Sequence, residues 1–257
     1  MDADNIILPI MGGEEVYGEK IAPMKVMKKK FTHKKGSKEL FVIFPPWRSH
    51  LYYNLLVKRQ LLKNDCSVLE YEFPAAILSS NWKFTLKYFN FICSHAVKEI
   101  KRLKNKYKFQ KLSMIGVSLG CVNACMCARV LPLKTQDLFL IAPGHCLAES
   151  MWEGISTQKI RKSYESKNIS LKELKKHWHK LAPENNLSNL KCDNISIFLS
   201  KSDRVIPFRC GKILLDKLKL QKCNISYENE KLLGHYLTAF LFYIYPKKFL
   251  LRKVGKT

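Results

Sequence analysis

No stretch of this chain is apolar for long enough to cross a bilayer. The longest such run, Tyr236 to Tyr245, falls well short of the roughly 20 residues a spanning helix needs and stops at Pro246. The first residues, Met1-Asp2-Ala3-Asp4-Asn5, are acidic and lack the basic stretch and apolar run of a secretory signal. Arginine is scarce. Only eight of the 45 basic residues are arginine, and the lysines are dispersed along the chain. Dispersed lysine reads as a solvated surface, whereas a specific nucleic-acid binder clusters arginine in a recognisable module. No phosphate-cradling loop is present, because Gly12-Gly13 runs into Glu14-Glu15 without a Gly-Lys-Ser/Thr ending. Nine cysteines, an odd number at irregular spacing from Cys66 to Cys223, do not make a disulfide framework. Cys121, Cys125 and Cys127 miss the zinc and iron–sulfur spacings and read as small buried side chains. The expectation is a cytoplasmic protein with reduced thiols, no metal and no cofactor.

What is there suffices for one sizeable core. The chain has 257 residues, 47% of them hydrophobic, which suits a single α/β domain. Apolar runs at 39–44, 67–73, 112–116, 137–142, 194–200 and 223–228 read as strands. Pro45-Pro46 ends the first and Pro74 the second. Helical patterns at 51–63, about 82–106, after Ser118, 207–218 and from about 236 lie between or after them. Strands alternating with helices predict a doubly wound, mostly parallel sheet flanked by helices. Residues 145–190 are charged, helical in period and free of strands, which predicts a small helical cap inserted over the sheet.

The chemistry concentrates at three points. Gly116-Val117-Ser118-Leu119-Gly120 falls where a buried strand hands over to a helix, the context of a nucleophile elbow. A serine hydroxyl is a poor nucleophile at neutral pH and needs a histidine base with a carboxylate to orient it. Open α/β sheets carry reactive groups at the carboxyl ends of strands. Asp203, in Ser200-Lys201-Ser202-Asp203-Arg204, follows one strand, and His235, in a loop reading Leu233-Gly234-His235, follows the last. Asp193 and Asp216 are poorly placed by comparison, before a strand and inside a helix. His177 and His179 sit in the lysine-rich segment and read as solvated.

Over roughly residues 35–250 the chain resembles the α/β-hydrolase superfamily, whose triads run Ser, Asp, His in this order. The resemblance implies a serine esterase or thioesterase that forms an acyl-enzyme on Ser118. His235 would serve as base and then acid, and Asp203 would orient it. It also implies an oxyanion hole, with the Leu119 amide as one donor. Here the chain departs from the family pattern, for Pro45-Pro46 stand where many relatives carry His-Gly, and prolines have no N–H. Trp47 is the first residue of that loop able to donate. His145, Met151 and Trp152 are candidate substrate contacts. Acyl transfer on the same triad and a non-catalytic binding scaffold remain alternatives. A net charge of +24 is expected to attract an acidic partner, such as a carrier protein or an anionic membrane surface.

Overall fold

The computed structural model describes residues 4–7, 15–16, 19–20, 25–73, 75–187, 190–221, 223–230, 233–246 and 250. Pro74, the Gly12-Gly13 pair, and the chain before residue 4 and after 250 lie outside them. The strands are β1 (Asp4–Ile7), β2 (Glu15–Val16), β3 (Glu19–Lys20), β4 (Lys25–Thr32), β5 (Glu39–Phe44), β6 (Cys66–Glu72), β7 (Lys111–Val117), β8 (Thr135–Ile141), β9 (Cys192–Ser200) and β10 (Asn224–Glu230). The helices are α1 (Leu55–Lys63), α2 (Trp82–Tyr107), α3 (Gly120–Val130), α4 (Leu147–Glu153), α5 (Gln158–Glu165), α6 (Leu171–His177), α7 (Phe208–Leu218) and α8 (Gly234–Ile244). Among the described residues no helix is long and apolar enough to cross a membrane.

Eight strands form one open sheet in the order β1-β4-β6-β5-β7-β8-β9-β10, while β2 and β3 pair separately. β6, β5, β7, β8, β9 and β10 run parallel; β4 joins β6, and β1 joins β4, in antiparallel pairing. The doubly wound, mostly parallel sheet expected from the sequence is therefore present. The two antiparallel strands at one edge were not expected.

Along β5 the residues alternate between the two faces. Leu40, Val42 and Phe44 join the larger core, which also takes in side chains of α2, α3 and α7. Phe41 and Ile43 join the smaller core with Val57 and Leu61 of α1 and Ala239 and Phe242 of α8. A strand buried on both sides is apolar almost throughout, which is why these strands are legible as unbroken apolar runs. The winding reverses at β5: the chain moves first outward to β6, then returns past β5 to β7 and on to β10. Such a switch point opens a crevice at the carboxyl ends of the strands. The Pro45-Pro46-Trp47 loop leaves β5 there, and Ser118 leaves β7.

Gly120 lets the two meet. A Cβ at Gly120 would lie 2.1 Å from the Phe44 carbonyl oxygen and 2.6 Å from that of Pro45; at Gly116 it would lie 2.6 Å from Cys121 Cα. All are backbone contacts that no rotamer change relieves. Gly120→Ala is expected to cost about 2–3 kcal/mol, a fall of roughly 5–10 °C in Tm. An unchanged thermal melt would contradict that packing.

Candidate active site

Ser118 occupies the sharp turn between β7 and α3 with φ 52°, left-handed backbone that costs a non-glycine residue about 1–2 kcal/mol. Its neighbours hold it there. The Ser118 amide donates to the Ile141 carbonyl at 2.7 Å, and the Cys121 amide donates to the Ser118 carbonyl at 3.0 Å.

The Ser118 hydroxyl is 2.8 Å from His235 Nε2, and His235 Nδ1 is 2.7 Å from Asp203 Oδ2. An ionised carboxylate can only accept, so Nδ1 carries the proton and Nε2 is left to accept from the serine. All three side chains are buried, Ser118 at 8%, Asp203 at 7% and His235 at 6% exposure. Asp203 is anchored independently: its Oδ1 accepts the Val205 and Ile206 amides, each at 2.9 Å. One oxygen thus fixes the turn while the other faces the imidazole. His235 lies in the first turn of α8, not in the loop expected from the sequence. Its entry is set by the Gly234 amide, which donates to Ser200 Oγ at 3.0 Å and Ser202 Oγ at 2.9 Å. Those two serines position the histidine and were not singled out from sequence, although both lie in the segment that carries Asp203.

The serine opens into a cavity of about 570 Å³ whose walls include Leu78, Leu119, Leu147, Met151, Ile206 and Ala239. Trp47 also lines it, its indole N–H donating to the Ala75 carbonyl at 2.8 Å. No acceptor is recorded for the Leu119 and Trp47 amides among the described residues, and both residues line the same cavity as Ser118.

Two of the expected substrate contacts are elsewhere. His145 is buried away from the cavity, 3.2 Å from the Cys210 carbonyl through Nδ1 and 2.7 Å from Glu149 through Nε2. Burial pushes this imidazole down. Burial alone would raise the Glu149 carboxyl, but Lys175, His145 and Arg209 hold it below the ordinary carboxylate range. Cys210 completes a trio of metal-ligand types; burial pushes its thiol up to about 12, and Lys175 pairs with the Glu149 carboxylate. The ion pairs here are those of Glu149 with Lys175 and Arg209. Trp152 packs against the main core, while its neighbour Met151 is the one that faces the cavity. Nor is His177 simply solvated, since it stacks on Trp82 with ring centroids 3.7 Å apart. Cys121, Cys125 and Cys127 are buried as expected.

No protein-family model and no curated protein matches the chain in sequence. Solved structures do match in shape. An acetyl xylan esterase from a Thermoanaerobacterium species aligns with TM-score 0.64 at 12% identity, over 81% of this chain and 74% of that one. Est1E from Butyrivibrio proteoclasticus aligns with TM-score 0.63 at 14% identity, over 96% of this chain and 100% of that one. The acylaminoacyl peptidase of Pyrococcus horikoshii aligns with TM-score 0.66 at 12% identity, over 90% of this chain, which matches only 40% of the peptidase. Sheet order, switch point and these likenesses agree: the chain has the α/β-hydrolase fold.

Proposed function

We propose that the protein is a serine hydrolase that cleaves a carboxylic ester or thioester through an acyl-enzyme on Ser118. The observation that carries this reading is the unbroken hydrogen-bond chain from Asp203 through His235 to a strained serine at the wall of an apolar cavity. Ser118 Oγ attacks the acyl carbon while His235 Nε2 takes its proton, and the carbonyl electron pair moves onto oxygen. The Leu119 and Trp47 amides serve as donors to that oxyanion, each worth about 10²–10³ in rate in well-characterised cases. Collapse expels the alkoxide or thiolate, which recovers the proton from His235. Water then repeats the sequence with His235 as base, releasing the carboxylic acid and free serine. Asp203 keeps the proton on Nδ1 and stabilises the imidazolium.

The segment at 145–190 acts as a cap in this reading. Leu147, Ser150 and Met151 of α4, with Ser156 and Thr157, line the cavity. Apolar walls suit the acyl chain, and the tryptophan on the oxyanion loop closes one side. The test is direct trapping. A short p-nitrophenyl ester, acid-quenched during turnover, should leave an acyl mass increment on the peptide containing Ser118. Turnover with no adduct there, or an adduct on another residue, would refute the assignment.

A further inference from the structure

Exposed apolar side chains crowd one side of the cavity mouth. α1 and α8 pack side by side on the same sheet face, burying Val57, Leu61, Ala239 and Phe242. Their outer surfaces stay open: Leu55 is 58% exposed, Leu56 43%, Leu237 44% and Phe240 55%. Tyr53 and Tyr236, at 45% and 68% exposure, continue this surface into the cavity wall. In a chain where 26% of residues are charged, α8 has no charged residue from Gly234 to Ile244. Contiguous apolar surface of this kind marks an interaction site.

The segments that carry it are basic, and acidic side chains that meet them are already paired, Glu72 with Lys28 and His50 and Glu70 with Lys58. No Asp or Glu occurs between Glu39 and Asp65, nor anywhere after Glu230. Arg48 lines the cavity mouth, its guanidinium 4.4 Å over the Trp47 ring. Arg59 is exposed one turn beyond Leu55 and Leu56. Arg204 is exposed on the far side, its carbonyl accepting the Ile155 amide at 3.1 Å, and the adjacent Ser156 hydroxyl lies 2.8 Å from the Tyr236 hydroxyl. A second copy of this chain would bring like charge against like, at a net +24 for each. Leucine, phenylalanine and tyrosine flanked by arginines match the acyl–headgroup boundary of an anionic bilayer, where rings sit at headgroup level and cations meet lipid phosphate and carboxylate.

We propose that this collar docks the protein on an anionic lipid surface with the cavity mouth facing the membrane. The acyl substrate then passes from the lipid phase along Tyr53 and Tyr236 to Ser118 without crossing bulk water. The route of the substrate rests on the acyl-hydrolase reading; the docking does not.

Co-sedimentation of the full chain with phosphatidylcholine vesicles, with and without phosphatidylserine, tests it. The protein and its Ser118→Ala variant should bind the phosphatidylserine vesicles equally and the neutral ones weakly, with binding reduced by salt. A combined Leu56→Ser, Leu237→Ser and Phe240→Ser variant should lose roughly tenfold or more in vesicle affinity. It should keep its thermal melt and its hydrolysis of a soluble short ester, because none of the three residues lines the cavity. Binding to neither vesicle overturns the proposal. So does full binding by the triple variant, which would mean that charge alone holds the protein to the surface. A wild-type dimer that the triple variant dissolves, with no vesicle binding, would assign the face to a second copy instead. Loss of ester hydrolysis by the wild type would refute the catalytic reading and leave the docking result standing.

Discussion

Ser118→Ala is expected to abolish turnover, with a loss on the order of 10⁴–10⁶ in kcat, and to eliminate labelling by a fluorophosphonate. The size follows from the geometry. His235 Nε2 faces the Ser118 hydroxyl at 2.8 Å, so no second oxygen is in place to receive base assistance. Ser150, Ser156 and Thr157 also line the cavity, but none is hydrogen-bonded to the imidazole. The fold should survive the change. Alanine pays the same left-handed backbone cost at φ 52°, and the amide bonds that pin the turn belong to the backbone. Thermal melts within about 1 kcal/mol of each other would confirm that the loss is chemical. Undiminished fluorophosphonate labelling of the variant would refute the nucleophile assignment.

Asp203→Asn is expected to lower kcat by about 10⁴ while leaving stability nearly untouched. The Val205 and Ile206 amides both donate to Asp203 Oδ1, so they dictate which way an asparagine must turn. Its carbonyl oxygen takes the Oδ1 position, which forces the NH₂ group to face His235 Nδ1. Both would then be donors unless the imidazole proton moves to Nε2. With the proton on Nε2, the ring can no longer take one from Ser118. Asp203→Ala makes the contrast sharp. It loses comparable activity but also abandons two amide donors, costing about 1–2 kcal/mol of stability. A variant pair with equal melts, or an asparagine variant with near-normal kcat, would show that Oδ1 does not set the orientation.

Much of this was legible in the sequence, for identifiable reasons. The central strands are apolar because both faces are covered, and a serine between glycines at a strand end is constrained by sterics to few structures. β4 was not legible. Lys25-Val26-Met27-Lys28-Lys29-Lys30-Phe31-Thr32 carries too much lysine for a strand pattern. Two of its lysines meet partners on other elements, Lys28 with Glu72 at 3.5 Å and Lys29 with Glu99 at 3.3 Å. Such pairs exist only after the chain has folded. The direction of side chains on α4 was equally hidden. Successive helical residues point about 100° apart, and a seven-residue helix does not reveal in its sequence which arc of them meets the cavity. Leu147, Ser150 and Met151 line the cavity, and the partly buried tryptophan packs against the core without lining it. For His145 a signal was present in Glu149 four residues on, at helical ion-pair spacing. In the folded chain the His145 ring meets that carboxylate at 2.7 Å instead of the cavity.

The order in which the strands join the sheet has a consequence during biosynthesis. Ser118 and His235 are 117 residues apart, and the histidine rides on the helix that follows the outermost strand, β10. A nascent chain emerges amino terminus first, and distant parallel pairings form late. The serine's turn, pinned by β8, can therefore be built while no base yet exists to activate it. On the proposed reading, an incompletely synthesised or unzipped chain would carry the elbow without its base, so Ser118 would be activated only in a molecule whose last strand has docked.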